Sequence, residues 1–106
     1  MLEWARAHLS EPLSLDAMAD VARMSRRTFT RRFREATGMT VNKWLSSERI
    51  GKAQQLLETT DMSIEQVAAE AGFGTSLSLR QHFAKQVRTS PSSYRRAFRD
   101  GKASGK

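Results

Sequence analysis

The apolar residues recur at helical spacing, and polar or turn-forming residues cut them into short amphipathic segments. Leu2, Ala5 and Leu9 share one side of an opening helix, with Trp4 and His8 flanking them. Glu11-Pro12 closes that segment, because a residue before proline avoids the α region. Ser14 caps a second segment whose stripe, Leu15, Met18, Ala19 and Ala22, stops at Arg23-Met24-Ser25. From Ser25 to Thr37 a third helix carries Phe29, Phe33 and Ala36 on one side, and Gly38 supplies the left-handed residue that ends it. Thr40 caps a long segment from Val41 to about Thr59. Val41, Trp44 and Leu45 are apolar at one end and Ile50, Ala53, Leu56 and Leu57 at the other, with a polar waist from Ser46 to Arg49. Such a helix reads as a connector whose two ends are buried in different small cores.

The first pattern then returns. Ser63-Ile64-Glu65-Gln66 is a capping box, and Ile64, Val67, Ala68 and Ala71 repeat the stripe of Leu15, Met18, Ala19 and Ala22 at an offset of forty-nine. Gly72-Phe73-Gly74 is the turn. One added residue there makes the offset fifty, so Leu79 and Phe83 fall on Phe29 and Phe33, and Tyr94 falls on Trp44. Ser90-Pro91 opens a last helix with proline at its first position, followed by Tyr94, Arg95, Arg96, Phe98 and Arg99. Small Ala19 at the crossing, Met24 after the turn and Phe29 as anchor suit two helices packed at a steep angle. The expected fold is therefore all-α, with helix-turn-helix units at about 14–37 and 63–86, a linker helix at about 41–59 and a last helix at about 91–99. Residues 1–100 make one domain, and the polar tail 101–106 is expected to be disordered. The first helix has no capping residue before it, which suggests a chain cut from something longer.

Charge turns this scaffold into a candidate machine. Arg27, Thr30, Arg31 and Arg34 recur at i, i+3, i+4 and i+7 on the face opposite the phenylalanines, and Arg23 to Arg34 holds six arginines and no acid. Such a run is either a solvated face or the helix that a helix-turn-helix inserts into the DNA major groove. A net charge of +7 and a pI near 10.8 favour a polyanion: nucleic acid first, an anionic membrane second. Thirteen of the eighteen cations are Arg, whose planar fork suits guanine edges and phosphates. Phosphates would meet arginines and the helix starts near Ser25, Thr40 and Ser90, with Arg32 and Lys85 serving phosphate or solvent.

Other classes fit less well. There is no cysteine, and His8 and His82 have no ligand-like neighbours, so no metal site is expected. No nucleophile elbow or phosphate-cradling loop points to an enzyme or a cofactor, and Gly72 and Gly74 read as turn residues. No run is long enough for a membrane span and no signal peptide follows Met1, so a cytoplasmic protein without membrane contact is expected. Phe29, Phe33, Leu79, Phe83, Trp44 and Tyr94 read as core rather than as a base-stacking platform. The main rival is a helical protein-interaction module on the same scaffold, which steep salt dependence of duplex-DNA binding would disfavour.

Several motifs carry a family resemblance: E-P-L-S-L-D-x-M-A, M-S-x-R-x-F-x-R-x-F, R-I-x-x-A-x-x-L-L, S-I-x-x-V-A-x-x-A-G-F-G, S-L-R-Q-H-F and S-P-x-x-Y-R-R-x-F. In this order and spacing, with the T-G before the linker, they resemble the DNA-binding domain of the AraC family of bacterial transcription regulators. The form G-F-G-T-S-x-S-L-R-Q-H-F is similar to the subgroup fused to a class I glutamine amidotransferase-like domain. The resemblance implies seven helices in two homeodomain-like lobes that bind two successive major-groove segments of double-stranded DNA. It implies base contacts from Arg26, Arg27, Thr30 and Arg31 in the first recognition helix, and from Ser76, Leu77, Arg80 and Gln81 in the second. Arg34 extends the first set along the same face. Arg27 and Arg31 are the foremost guanine readers, since bidentate Arg to guanine is the commonest specific contact. Leu77 departs from the pattern: it offers apolar contact to a thymine methyl, or else belongs to the core. Arg23 also departs, standing where the second copy has Gly72. RNA polymerase is a further candidate partner, and an effector or oligomerisation domain is expected outside this chain.

Overall fold

The computed structural model describes residues 2–103, with side chains through residue 100. Its helices are α1 (Leu2–Ala7), α2 (Leu15–Val21), α3 (Arg26–Thr37), α4 (Val41–Thr59), α5 (Ile64–Ala71), α6 (Ser76–Val87) and α7 (Pro91–Ala103). Among the described residues there is no strand. Hydroxyl caps set the starts of six helices. Ser14, Ser25, Thr40, Ser63, Thr75 and Ser90 each accept the backbone N–H three residues on, at 3.0 to 3.2 Å. At Ser63 the Gln66 side chain also accepts the Ser63 N–H, completing the capping box.

Two separate cores result. Met18, Ala19, Phe29, Phe33, Val41, Trp44 and Leu45 are buried together with Ala5 and Leu9 in the first lobe. Ile50, Ala53, Leu57, Val67, Ala68, Ala71, Leu79 and Phe83 form the second. Helix α4 contributes one end to each, so the molecule is elongated, 50 × 25 × 21 Å. Its radius of gyration, 15.5 Å, exceeds the roughly 13 Å of a compact domain of this length. The duplication extends to ring geometry. Phe33 meets Trp44 edge-on at 5.6 Å and 80°, and Phe83 meets Tyr94 at 5.5 Å and 73°.

Two ends differ from the sequence reading. Helix α1 stops at Ala7 rather than Leu9, because the His8 ring donates from Nδ1 to the Trp4 carbonyl at 2.7 Å while the His8 amide turns back to Ala5. Leu9 still reaches the core, 6% exposed, from a turn rather than a helix. Helix α7 continues to Ala103, so Gly101, Lys102 and Ala103 are helical and not part of a disordered tail. Extending a formed helix adds one bond per residue fixed, and a single Gly does not stop it. Residues 104–106 of the expected tail lie outside the described residues.

Candidate nucleic-acid interface

On α3, Phe29 and Phe33 are 3% and 5% exposed, and this anchoring turns Arg27, Arg31 and Arg34 outward. Among the described residues these three form no ion pair, so their guanidinium groups are open to an incoming anion. Arg26 and Thr30 are also exposed but have neighbours of their own. Arg26 lies 3.7 Å from Asp16 of α2, and the Thr30 hydroxyl donates to the Arg26 carbonyl at 2.9 Å. Arg32 is exposed on the other flank, beside Ala36.

On α6, Leu79 and Phe83 are fully buried, and Arg80 and Gln81 face outward. Leu77 is 61% exposed, which decides its alternatives in favour of the surface. Ser76 is half-buried at the helix start. At the fifty-residue offset Leu77 and Gln81 stand where α3 has Arg27 and Arg31, so the two recognition helices present different chemistry on one scaffold. His82 is held in the lobe, donating to the Ser78 carbonyl at 2.9 Å with its ring 5.2 Å from Phe73.

The hydroxyls of Ser25, Thr40 and Ser90 are engaged as caps, so what those helix starts offer an anion is their remaining first-turn N–H groups. Between the lobes, Thr40, Lys43 and Ser47 of the α4 start face His82 and Lys85 of α6 across an open groove. Lys43 was not singled out in the sequence. Its signal was its place as a cation in the first turn after a cap.

Four arginines that composition would assign to a polyanion hold the protein together instead. Arg6 pairs with Glu48 at 2.9 Å, and Arg49 donates to the carbonyls of Leu9 and Glu11. Arg95 donates to the carbonyls of Leu57, Thr60 and Met62 at 3.1, 3.0 and 2.8 Å, serving the last turn of α4, its C-cap and the turn that follows. Arg99 adds a bond to the Thr60 carbonyl and an ion pair with Asp61 at 2.9 Å. Beside them the Tyr94 hydroxyl donates to the Glu58 carboxylate, and burial followed by that carboxylate pushes the phenol up to about 12.

The family model of a helix-turn-helix domain matches residues 18–97. The HTH-type transcriptional activator RhaS of Enterobacter sp. (strain 638) is 34% identical over 91 residues, covering 86% of this chain and 33% of that protein. RhaR of Escherichia coli (strain K12) is 35% identical over 89 residues, 84% of this chain and 32% of that protein. The chain thus spans about a third of the length of these curated relatives. Among solved structures, the DNA-binding domain of AdpA, a global transcriptional factor crystallised with a target DNA, is 44% identical. It superimposes with a TM-score of 0.93 over 98% of this chain and 94% of that one. A regulator from Chromobacterium violaceum with an AraC-type DNA-binding domain is 29% identical, with a TM-score of 0.81 over 89% and 84%. By matched residues, relatives and architecture, the chain belongs to the AraC-type family of helix-turn-helix domains.

Proposed function

We propose that the chain binds double-stranded DNA sequence-specifically, as the DNA-binding domain of a bacterial transcription regulator. The observation that carries this reading is the face of Arg27, Arg31 and Arg34 on α3, free of ion pairs among the described residues and turned outward by the buried phenylalanines, on a scaffold that repeats the same helix-turn-helix at the far end of α4. The AdpA domain, similar over nearly the whole chain and crystallised on its target, supports it. Helix α4, 19 residues long, spans roughly 28 Å at 1.5 Å per residue. That is close to the roughly 34 Å between successive major-groove faces, so α3 and α6 can enter neighbouring segments of one duplex.

In this reading Arg27 and Arg31 take guanine edges, with Arg26, Thr30 and Arg34 extending the contact. Ser76, Arg80 and Gln81 work in the second groove, where Leu77 offers apolar contact to a thymine methyl. The helix starts at Ser25, Thr40 and Ser90, together with Arg32, Lys43 and Lys85, take phosphates and set the register. The domain catalyses no reaction and takes no cofactor; RNA polymerase is a partner of the whole regulator if that regulator activates.

Selection from a random duplex library, followed by footprinting and a salt titration, tests the proposal. A recovered consensus, protection of two segments one helical turn apart, and affinity falling linearly in log–log salt are expected. Equal affinity for every duplex, or binding indifferent to salt, would overturn it.

A further inference from the structure

At the waist of α4 the lobes meet through a contact that belongs to neither core. Arg49 donates from Nε to the Leu9 carbonyl at 3.2 Å and from Nη2 to the Glu11 carbonyl at 3.1 Å, so a guanidinium on the connector holds the chain that leaves α1. From the second lobe, Gly72 packs its bare α-carbon against the same place. A Cβ there would lie 1.9 Å from the Leu9 carbonyl oxygen and 2.6 Å from Arg49 Nε, far inside any tolerable contact. Backbone conformation, left-handed at φ 94°, already favours glycine here, but it is not the whole constraint. Arg23, its counterpart in the first lobe, is left-handed at φ 58° and keeps a full side chain. At Gly72 the first lobe's backbone adds a steric exclusion to that strain. One turn of chain away, the Arg6–Glu48 pair adds a second tie between α1 and the connector.

We propose that Arg49 and Gly72 form an inter-lobe latch that fixes the pose of α6 relative to α3, making Arg49 a positioning residue for two-segment DNA binding. This rests on the DNA-binding reading above, but its geometric half stands without DNA. A second binding event on a tethered lobe gains from the first only as far as the lobe is held where its groove lies. A connector helix sets the distance between lobes; the latch resists rotation and bending about its polar waist. Loosening it should weaken binding at the preferred spacing and, at the same time, relax the demand for that spacing.

The test compares Arg49→Ala and Gly72→Ala with Gly74→Ala. Gly74 lies in the same turn and is also left-handed at φ 83°, but a Cβ there meets nothing within 4 Å, so it carries the backbone strain without the clash. The first measurement needs no DNA. The chain has no cysteine, so Glu35→Cys and Gln86→Cys, both at exposed positions, can carry a spin-label pair across the lobes. The distance distribution should be narrow in the parent and in Gly74→Ala, and at least about twice as wide in Arg49→Ala, with a shifted or widened one in Gly72→Ala. An unchanged distribution in Arg49→Ala would overturn the latch whatever the chain binds. The second measurement is affinity for the selected duplex and for duplexes with one base pair added or removed between segments. A base pair turns the second groove by roughly 35°, so the parent and Gly74→Ala should lose tenfold or more. Arg49→Ala and Gly72→Ala should lose about five- to tenfold at the preferred spacing but less than threefold further on changing it. A lowered melting temperature with an intact spacing penalty would mean Arg49 is merely structural and would overturn its positioning role. If no variant and no parent binds any duplex while the distance result holds, the DNA reading fails and the latch stands.

Discussion

Arg23 and Arg88 hold the left-handed conformation at φ 58° and 67°, and each stands where the other copy of the unit has a glycine, Gly72 and Gly38. An L side chain in that region costs roughly 1 kcal/mol that glycine avoids. Replacing Arg23 by Gly should therefore raise stability by up to about 1 kcal/mol, read as a higher melting temperature; a fall would mean that the Arg23 side chain makes a compensating contact. This position was legible by aligning the two copies. The arginine face of α3 was legible too, because helical spacing alone puts Arg27 and Arg31 opposite Phe29 and Phe33. Arg31→Ala should cost about 1–3 kcal/mol at the selected site and relax preference at one or two base pairs. An equal loss at all sequences would mark Arg31 as a phosphate contact. What composition hid is the division of labour among arginines. Arg49 and Arg95 serve backbone carbonyls 33 to 40 residues away, and acceptors that every residue possesses leave no trace in a sequence.

Among the elements, the starts of α2, α3, α4, α5 and α7 were readable because the chemistry that makes them is local: a hydroxyl at the cap and the N–H three residues on. The ends of α1 and α7 were not. The first is set by a ring-to-carbonyl bond inside the helix, and the second by propagation that a single Gly does not stop. The two copies also diverge where one element closes its lobe. Leu45, 4% exposed in the first lobe, corresponds to Arg95 in the second, so an apolar plug is replaced by three charge-assisted bonds onto the end of α4 and the turn after it. Arg95→Ala should cost about 1–3 kcal/mol, because it strands acceptors at a half-buried helix end. Arg95→Leu, which copies the first lobe, should not restore the loss in a urea melt. Full rescue by Leu would show that the arginine's stem, and not its donors, carries the stabilisation.

For the molecule as a whole, the two apolar ends of α4 announced two cores, and the structure buries Val41, Trp44 and Leu45 in one and Ile50, Ala53 and Leu57 in the other. The polar waist, however, is not a bare spacer. Glu48 and Arg49 are tied to α1 and to the turn that follows it, so lobe orientation depends on the phase of the helix as well as its length. Since two added residues rotate everything beyond them by roughly 200° and advance it by roughly 3 Å, inserting Ala-Ala beside Ser47 should turn the second lobe away from its groove. The same rotation carries Glu48 and Arg49 away from Arg6 and Leu9, which removes the ties that hold the lobe in its present pose. Neither core contains a residue of Ser46 to Glu48, so each lobe should stay folded and the far-UV signal should stay helical. The variant should protect one groove segment in a footprint instead of two, and most of the two-lobe affinity should be lost. An unchanged two-segment footprint at full affinity would mean that α4 does not act as a rigid spacer. The second lobe would then find its groove by bending at the waist, and the linker's length and phase would carry no information about the operator.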